Sequence, residues 1–173
     1  MTSSQRREQI KQVLSQAAGP ISASTLAARF QVSRQIIVGD IALLRAADVD
    51  ISATPRGYIL QGKPAPLPGS RYTVACLHQG EAMAEELYAV VDNGGAVLDV
   101  TVEHGVYGQI SAPLHLFSRY DVDMFLQKLR EHQSPPLCAL TGGVHLHTLQ
   151  CPNEEVYRRI RARLEELGIL LTK

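Results

Sequence analysis

The chain has 173 residues, of which 45% are hydrophobic and 20% charged. That is an ordinary globular composition, with room for two small domains. Its apolar runs fall far short of the roughly 20 residues of a membrane span, and the polar start MTSSQRREQIKQVL lacks the apolar centre of a signal peptide, so a cytoplasmic protein with no membrane partner is expected. The net charge of zero is uneven: residues 1–60 hold seven Lys or Arg and four Asp or Glu, residues 71–173 hold nine and thirteen. A mildly basic head on an acidic body suits a DNA-contacting domain carried by a sensing or dimerising one.

The first element is a helix with Ile10, Val13, Leu14 and Ala17 at helical spacing, ended by Gly19-Pro20. Ser22 or Ser24 can cap a second helix containing Leu26, Ala27 and Phe30. After the short turn Gln31-Val32, Ser33 is a good N-cap for a third helix through Ala47. Residues 51–60, ISATPRGYIL, read as two short strands around a Pro-Arg-Gly turn. Three helices and a hairpin make a winged helix-turn-helix over residues 1–60.

Ile37, Ile41 and Leu44 form one face of the third helix and should be core; Gln35, Gly39 and Ala42 form the other. In a helix-turn-helix that outer face enters the major groove, led by its N-terminal residues. Gln35 is then the base reader, because its amide can bond the edge of adenine. Ser33 and Arg34 hold phosphates at the helix N-terminus, and Arg56 sits at the wing tip against the DNA backbone or minor groove. The stretch AARFQVSRQIIVGDIALLRAADVDISATPRGYIL resembles the winged helix at the front of biotin-operon repressors and many small-molecule regulators, which implies binding to double-stranded operator DNA. That subfamily usually has Gly after the third helix, where this chain has Asp48. Asp tolerates the left-handed conformation better than most residues, so the turn should survive.

Residues 61–70, QGKPAPLPGS, carry Pro64, Pro66 and Pro68. Alternating prolines form neither helix nor interior strand, and read as a semi-rigid linker. From Arg71 to the end, short strands alternate with amphipathic helices: a strand at 72–77, a helix at 80–91, a strand pair at 96–104 and 109–116, a helix from Ser118 or Asp121 to Glu131, strands at 137–140 and 144–150, and a closing helix at 153–167. This order predicts an α+β domain of the split-βαβ kind, one sheet with helices on one face.

In this second domain His145 and His147 are two apart on a strand and share a face. His78 ends the first strand, and Glu86 lies about two turns into the following helix, beside the apolar stripe of Met83, Leu87 and Val90; Glu85 lies towards solvent. If strand and helix pack normally, the four donors can converge. Spacing alone leaves hydrogen-bonded core histidines and metal ligands both open. His115 and His132 read as non-ligands. Cys76, Cys138 and Cys151 are an odd, widely spaced set without a CxxC pair and read as free thiols in a reducing compartment.

The segments VACLHxxxxxxxEL, TVEHGVYG and LTGGVHLHT, in that order behind a winged helix, resemble the three-histidine (3H) domain. The pairing resembles the niacin-responsive repressors of NAD biosynthesis found in many Gram-positive bacteria. The resemblance covers essentially the whole chain. It implies one divalent metal per chain, nickel or zinc, held by His78, Glu86, His145 and His147. It also implies nicotinic acid as co-repressor and a homodimer on the operator. His104, Tyr107 and Arg119 become candidates for contacts to the ligand, Arg119 through two parallel hydrogen bonds to a carboxylate. The family pattern around His104 is His-Pro-x-Tyr-Gly, whereas this chain has Gly105 in place of the proline, which frees the backbone beside His104. Two other readings use the same residues: a regulator for which the metal itself is the signal, and a metal-dependent hydrolase fused to a DNA-binding head. No HExxH, nucleophile elbow or phosphate loop supports the enzyme.

Overall fold

Each helix of the first unit starts on a hydroxyl that accepts a backbone N–H. In the computed structural model, which describes residues 1–61 and 69–172, Thr2 caps α1 (Ser3–Gln16), Ser22 caps α2 (Ala23–Phe30) and Ser33 caps α3 (Arg34–Ala46). Such a cap satisfies one of the orphan donors of a helix start and contributes about 1 kcal/mol. Ile10, Leu14, Leu26, Ala27, Ile37, Ile41 and Leu44 are buried together, while Gln35, Gly39 and Ala42 are exposed. The two faces expected of α3 are both present.

Asp48 adopts φ 60, and Val49 N–H reaches the Leu44 carbonyl across it, so the turn after α3 is kept without glycine. The wing is an antiparallel pair, β1 (Ile51–Thr54) and β2 (Gly57–Leu60). Tyr58 exchanges backbone hydrogen bonds with Ile21. Gly57, at φ 137, lies so close to Ile21 that a Cβ there would stand 2.4 Å from its backbone. Only glycine lets the wing approach that segment.

The chain falls into two compact units, Met1–Ala65 and Pro66–Lys173. Pro64, Pro66 and Pro68 of the expected linker lie outside the described residues. The second unit contains β3 (Ser70–Leu77), α4 (Met83–Val91), β4 (Ala96–His104), β5 (Gly108–Leu116), α5 (Arg119–Glu131), β6 (Val144–Cys151) and α6 (Glu154–Glu166). Its sheet is antiparallel throughout, in the order β3-β6-β4-β5. The last strand thus splits the parallel pair β3 and β4 that α4 connects, as the β-α-β-β-α-β order predicts. Val74, Val100, Leu114, Leu116 and Leu149 pack from the sheet against Leu87, Val90, Val122, Ile160 and Leu164 of the helices. Full burial of each such side chain contributes roughly 1.5–3 kcal/mol. The other face of the sheet presents Thr73, Thr101, Ser111 and Thr148, none of them buried.

One expected element is different. Residues 137–140 do not form a strand but a 3-10 turn, Leu137–Thr141. Pro135 and Pro136 bring no backbone donors to a ladder. Gly142 and Gly143, at φ 65 and 102, then reverse the chain directly into β6.

Candidate metal centre

β6 carries His145, His147, Leu149 and Cys151 on the helix-covered face, all buried, because side chains two apart on a strand share a side. His78 follows the last residue of β3. Its backbone N–H bonds the Gly143 carbonyl at 3.3 Å, and a Cβ on Gly143 would stand 2.4 Å from the His78 carbonyl oxygen. The glycine therefore permits the contact that draws His78 to the start of β6. Glu86 sits in the first turn of α4 and is 1% exposed; Glu81 and Glu85 face solvent. Among the described residues the fold thus brings together the four side chains that the spacing singled out.

Their hydrogen bonds are ordered. The outer nitrogen, Nδ1, of each ring meets a backbone carbonyl: His78 at Gln79 (2.6 Å), His145 at Gly143 (2.8 Å) and His147 at Asp99 (2.7 Å). A carbonyl only accepts, so each Nδ1 donates. Every Nε2 then points at one carboxylate. His78 Nε2 is 2.6 Å from Glu86 Oε2, His145 Nε2 is 3.0 Å from Oε1, and His147 Nε2 is 3.4 Å from Oε2. In a neutral ring with its hydrogen on Nδ1, Nε2 bears a lone pair. Three lone pairs facing a carboxylate require positive charge between them, either protons on the rings or a cation.

The electrostatics say the same. Burial pushes the Glu86 carboxyl up, but the hydrogen bond of His145, the charge and hydrogen bond of His147 and the hydrogen bond of His78 outweigh it, and its pKa lies well below the ordinary value. Burial lowers the pKa of His78 and His147, yet Glu86 outweighs it and both are raised. The donor set fits a transition metal: imidazoles and a carboxylate, with each ring fixed by a bond from its far nitrogen, the usual outer shell of metal-bound histidine.

Two residues that the sequence reading left as plain thiols belong to this region. Cys76 pairs with His145 across the β3–β6 ladder and is wholly buried. Cys76, Glu86 and His145 offer ligand atoms within 4.8 Å of one another, and such a buried group could hold a metal. Cys138 lines the adjoining cavity. The alternation of Tyr72, Val74 and Cys76 along β3 was the available signal, but only the register shows what Cys76 faces.

The cluster forms one end of a cavity of about 210 Å³. Val100, Leu114, Phe125, Leu129, Pro136 and Leu137 supply much of its wall, and no Lys or Arg among the described residues lines it. Three expected ligand contacts are elsewhere. Arg119 makes its two parallel bonds to Asp92, both 2.7 Å, and lies over the Tyr88 ring. His104 Nδ1 accepts from the backbone N–H groups of Val106 and Tyr107, so the ring holds the β4–β5 turn closed. Tyr107 is 78% exposed. None of the three lines the cavity, because a carboxylate within the chain takes Arg119 and the hairpin takes His104.

In the first unit Arg34 and Gln35 are exposed in the opening turn of α3, Ser33 is engaged as its cap, and Arg56 is exposed in the wing turn. Sequence reading missed Asp40 on the buried side of the same helix. Its carboxylate bonds Arg6 at 2.6 Å and lies 3.5 Å from Arg7, tying α1 to α3. The signal was a carboxylate placed between Ile37 and Ile41 on an apolar stripe.

A helix-turn-helix unit joined to a unit with a buried histidine–carboxylate cluster beside a small apolar cavity defines a two-unit DNA-binding protein. The 3H domain family matches residues 71–173, and a helix-turn-helix domain family matches residues 6–59. The chain is 42% identical to a Thermotoga maritima protein described as a probable transcription repressor, NiaR, over 96% of this chain and 94% of that protein. It is 40% identical to the Bacillus subtilis transcription repressor NadR, over 96% and 93%. The chain belongs to this NiaR/NadR family of transcription repressors, and these relatives are not enzymes. No described helix is long and apolar enough to cross a membrane.

Proposed function

We propose that this repressor acts in the cytoplasm as a homodimer, on operators of genes for NAD biosynthesis and niacin uptake, with nicotinic acid as co-repressor and one divalent ion, nickel or zinc, per chain. Residues 1–60 read the DNA through Arg34, Gln35, Ser33 and Arg56; residues 71–173 bind metal and effector and dimerise. The observation that carries the reading is the convergence of His78, His145 and His147 on Glu86 at the end of the cavity. Those four side chains would hold the ion, which when bound supplies a coordination partner for a carboxylate or ring nitrogen. At about 210 Å³ the cavity is smaller than the roughly 300–1,000 Å³ typical of pockets for larger ligands. It suits a single small ring and excludes a dinucleotide.

An acid buried there without a partner would be costly. With no Lys or Arg in the wall among the described residues, the centre is where the acid group goes, and Leu114, Phe125 and Leu137 shield the ring from water. Binding shifts the population towards the dimer geometry that fits successive major grooves, with a coupling typically of 1–3 kcal/mol.

Operator binding measured with metal fixed and nicotinate varied tests this. Nicotinate should tighten binding only in the metal-loaded protein, and operator DNA should raise nicotinate affinity by the same factor. An equal response from metal-free protein would move the effector site elsewhere. A response to metal alone, with nicotinate inert, would make the ion the signal.

A further inference from the structure

We propose that Cys76 is an additional donor of the centre, binding the ion as a thiolate beside Glu86 and His145. The proposal rests on the metal reading above and goes beyond it, since that reading uses nitrogen and carboxylate oxygen alone.

Two observations support it. The register sets Cys76 directly opposite His145 on the same face of the sheet. Its Sγ, a Glu86 oxygen and a His145 ring nitrogen all lie within 4.8 Å of one another. A buried cysteine is often only a small apolar filler, and the same sheet face provides one for comparison. Cys151 is equally buried, but it pairs with Ser70 at the other end of β6, whereas Cys76 pairs with His145. Cys138 lines the cavity that the centre closes, which makes it the thiol to be distinguished by experiment.

Ligation breaks the S–H bond as the sulfur–metal bond forms, and the proton leaves to solvent; no oxidant is involved. With Glu86 and Cys76 both anionic, a divalent ion at the centre is neutralised. A thiolate selects ions such as zinc, cobalt or nickel over magnesium and manganese.

The test uses the full chain loaded with Co(II). Visible d–d bands report any ion held by the centre, and a near-ultraviolet charge-transfer band reports a thiolate bound to it. Both should appear in the wild type. The charge-transfer band should persist in the Cys138→Ser/Cys151→Ser double variant, whose sole cysteine is Cys76. It should vanish in Cys76→Ser while the d–d bands remain. If Cys76→Ser does not fold, the double variant still decides. Loss of the charge-transfer band in the double variant, or its survival in Cys76→Ser, overturns the role of Cys76 and leaves the metal reading standing. Absence of d–d bands from the wild type overturns both.

Discussion

Two buried carboxylates, Asp40 in the first unit and Glu86 in the second, are satisfied in opposite ways. Asp40 is 4% exposed and is paired with the guanidinium groups of Arg6 and Arg7, which keep their charge at any physiological pH. That site is closed: nothing in the cell replaces an arginine. Glu86 is 1% exposed, and its partners are three imidazoles, which are cationic only while protonated. Protons can leave such a site and a metal can enter. A fixed cation makes a buried carboxylate structural, and a titratable one makes it exchangeable.

The largest expected effect breaks the exchangeable site. The double variant His145→Ala/His147→Ala should lose stoichiometric nickel or zinc in elemental analysis after gel filtration. The first unit should stay folded, because its core contains no residue of the second. Full occupancy in this variant would overturn the assignment.

Breaking the closed site comes next. Asp40→Ala should strip Arg6 of its partner and cost about 3 kcal/mol in denaturant unfolding of the first unit, with metal content unchanged. A loss of bound metal would mean the two carboxylates are not independent.

The exposed face of α3 gives smaller changes. Gln35→Ala should relax base preference at one position of each half-site by about 1–3 kcal/mol, measured by competition among operator variants. Arg34→Ala should instead lower the salt dependence of operator binding by roughly one unit of slope, with sequence preference unchanged. If Gln35→Ala keeps its sequence preference, α3 docks differently.

The smallest effect sharpens the comparison through pH. His78 and His147 have raised pKa values in the folded chain. The stability they add is therefore complete below their ordinary value of 6.5 and is lost as pH climbs through the raised values. Glu86, whose pKa is lowered, contributes above its ordinary 4.5, and that contribution is lost as pH falls through the lowered value. Metal-free protein should thus be most stable between these limits and weaken above 6.5. In metal-loaded protein the slope above 6.5 should reverse, because protons no longer compete for the rings. Melting curves across pH, with and without zinc, measure both slopes.

Much of this architecture was legible in the chain because it depends on local rules. Ser22 and Ser33 announced helix starts, the spacing of Ile37, Ile41 and Leu44 announced a buried face, and the HxH pair announced two imidazoles on one side of a strand. The prediction failed at residues 137–140, where an apolar run suggested a strand. The pair Pro135-Pro136 and the pair Gly142-Gly143 bound a turn too short to join the ladder.

By itself the sequence determined the element types outside residues 137–140, the two-unit organisation and the four side chains able to converge, since caps, periodicity and prolines act over a few residues. The tertiary structure decided which groups the donors meet. The β3–β6 register set Cys76 against His145, the turn at Gly143 drew in His78, and the packing of α4 turned Glu86 inward and Glu85 outward. It also gave Arg119 to Asp92 and His104 to its own hairpin, away from the cavity. These outcomes depend on contacts between residues as far apart in the chain as 86 and 145, and no local rule reaches that distance.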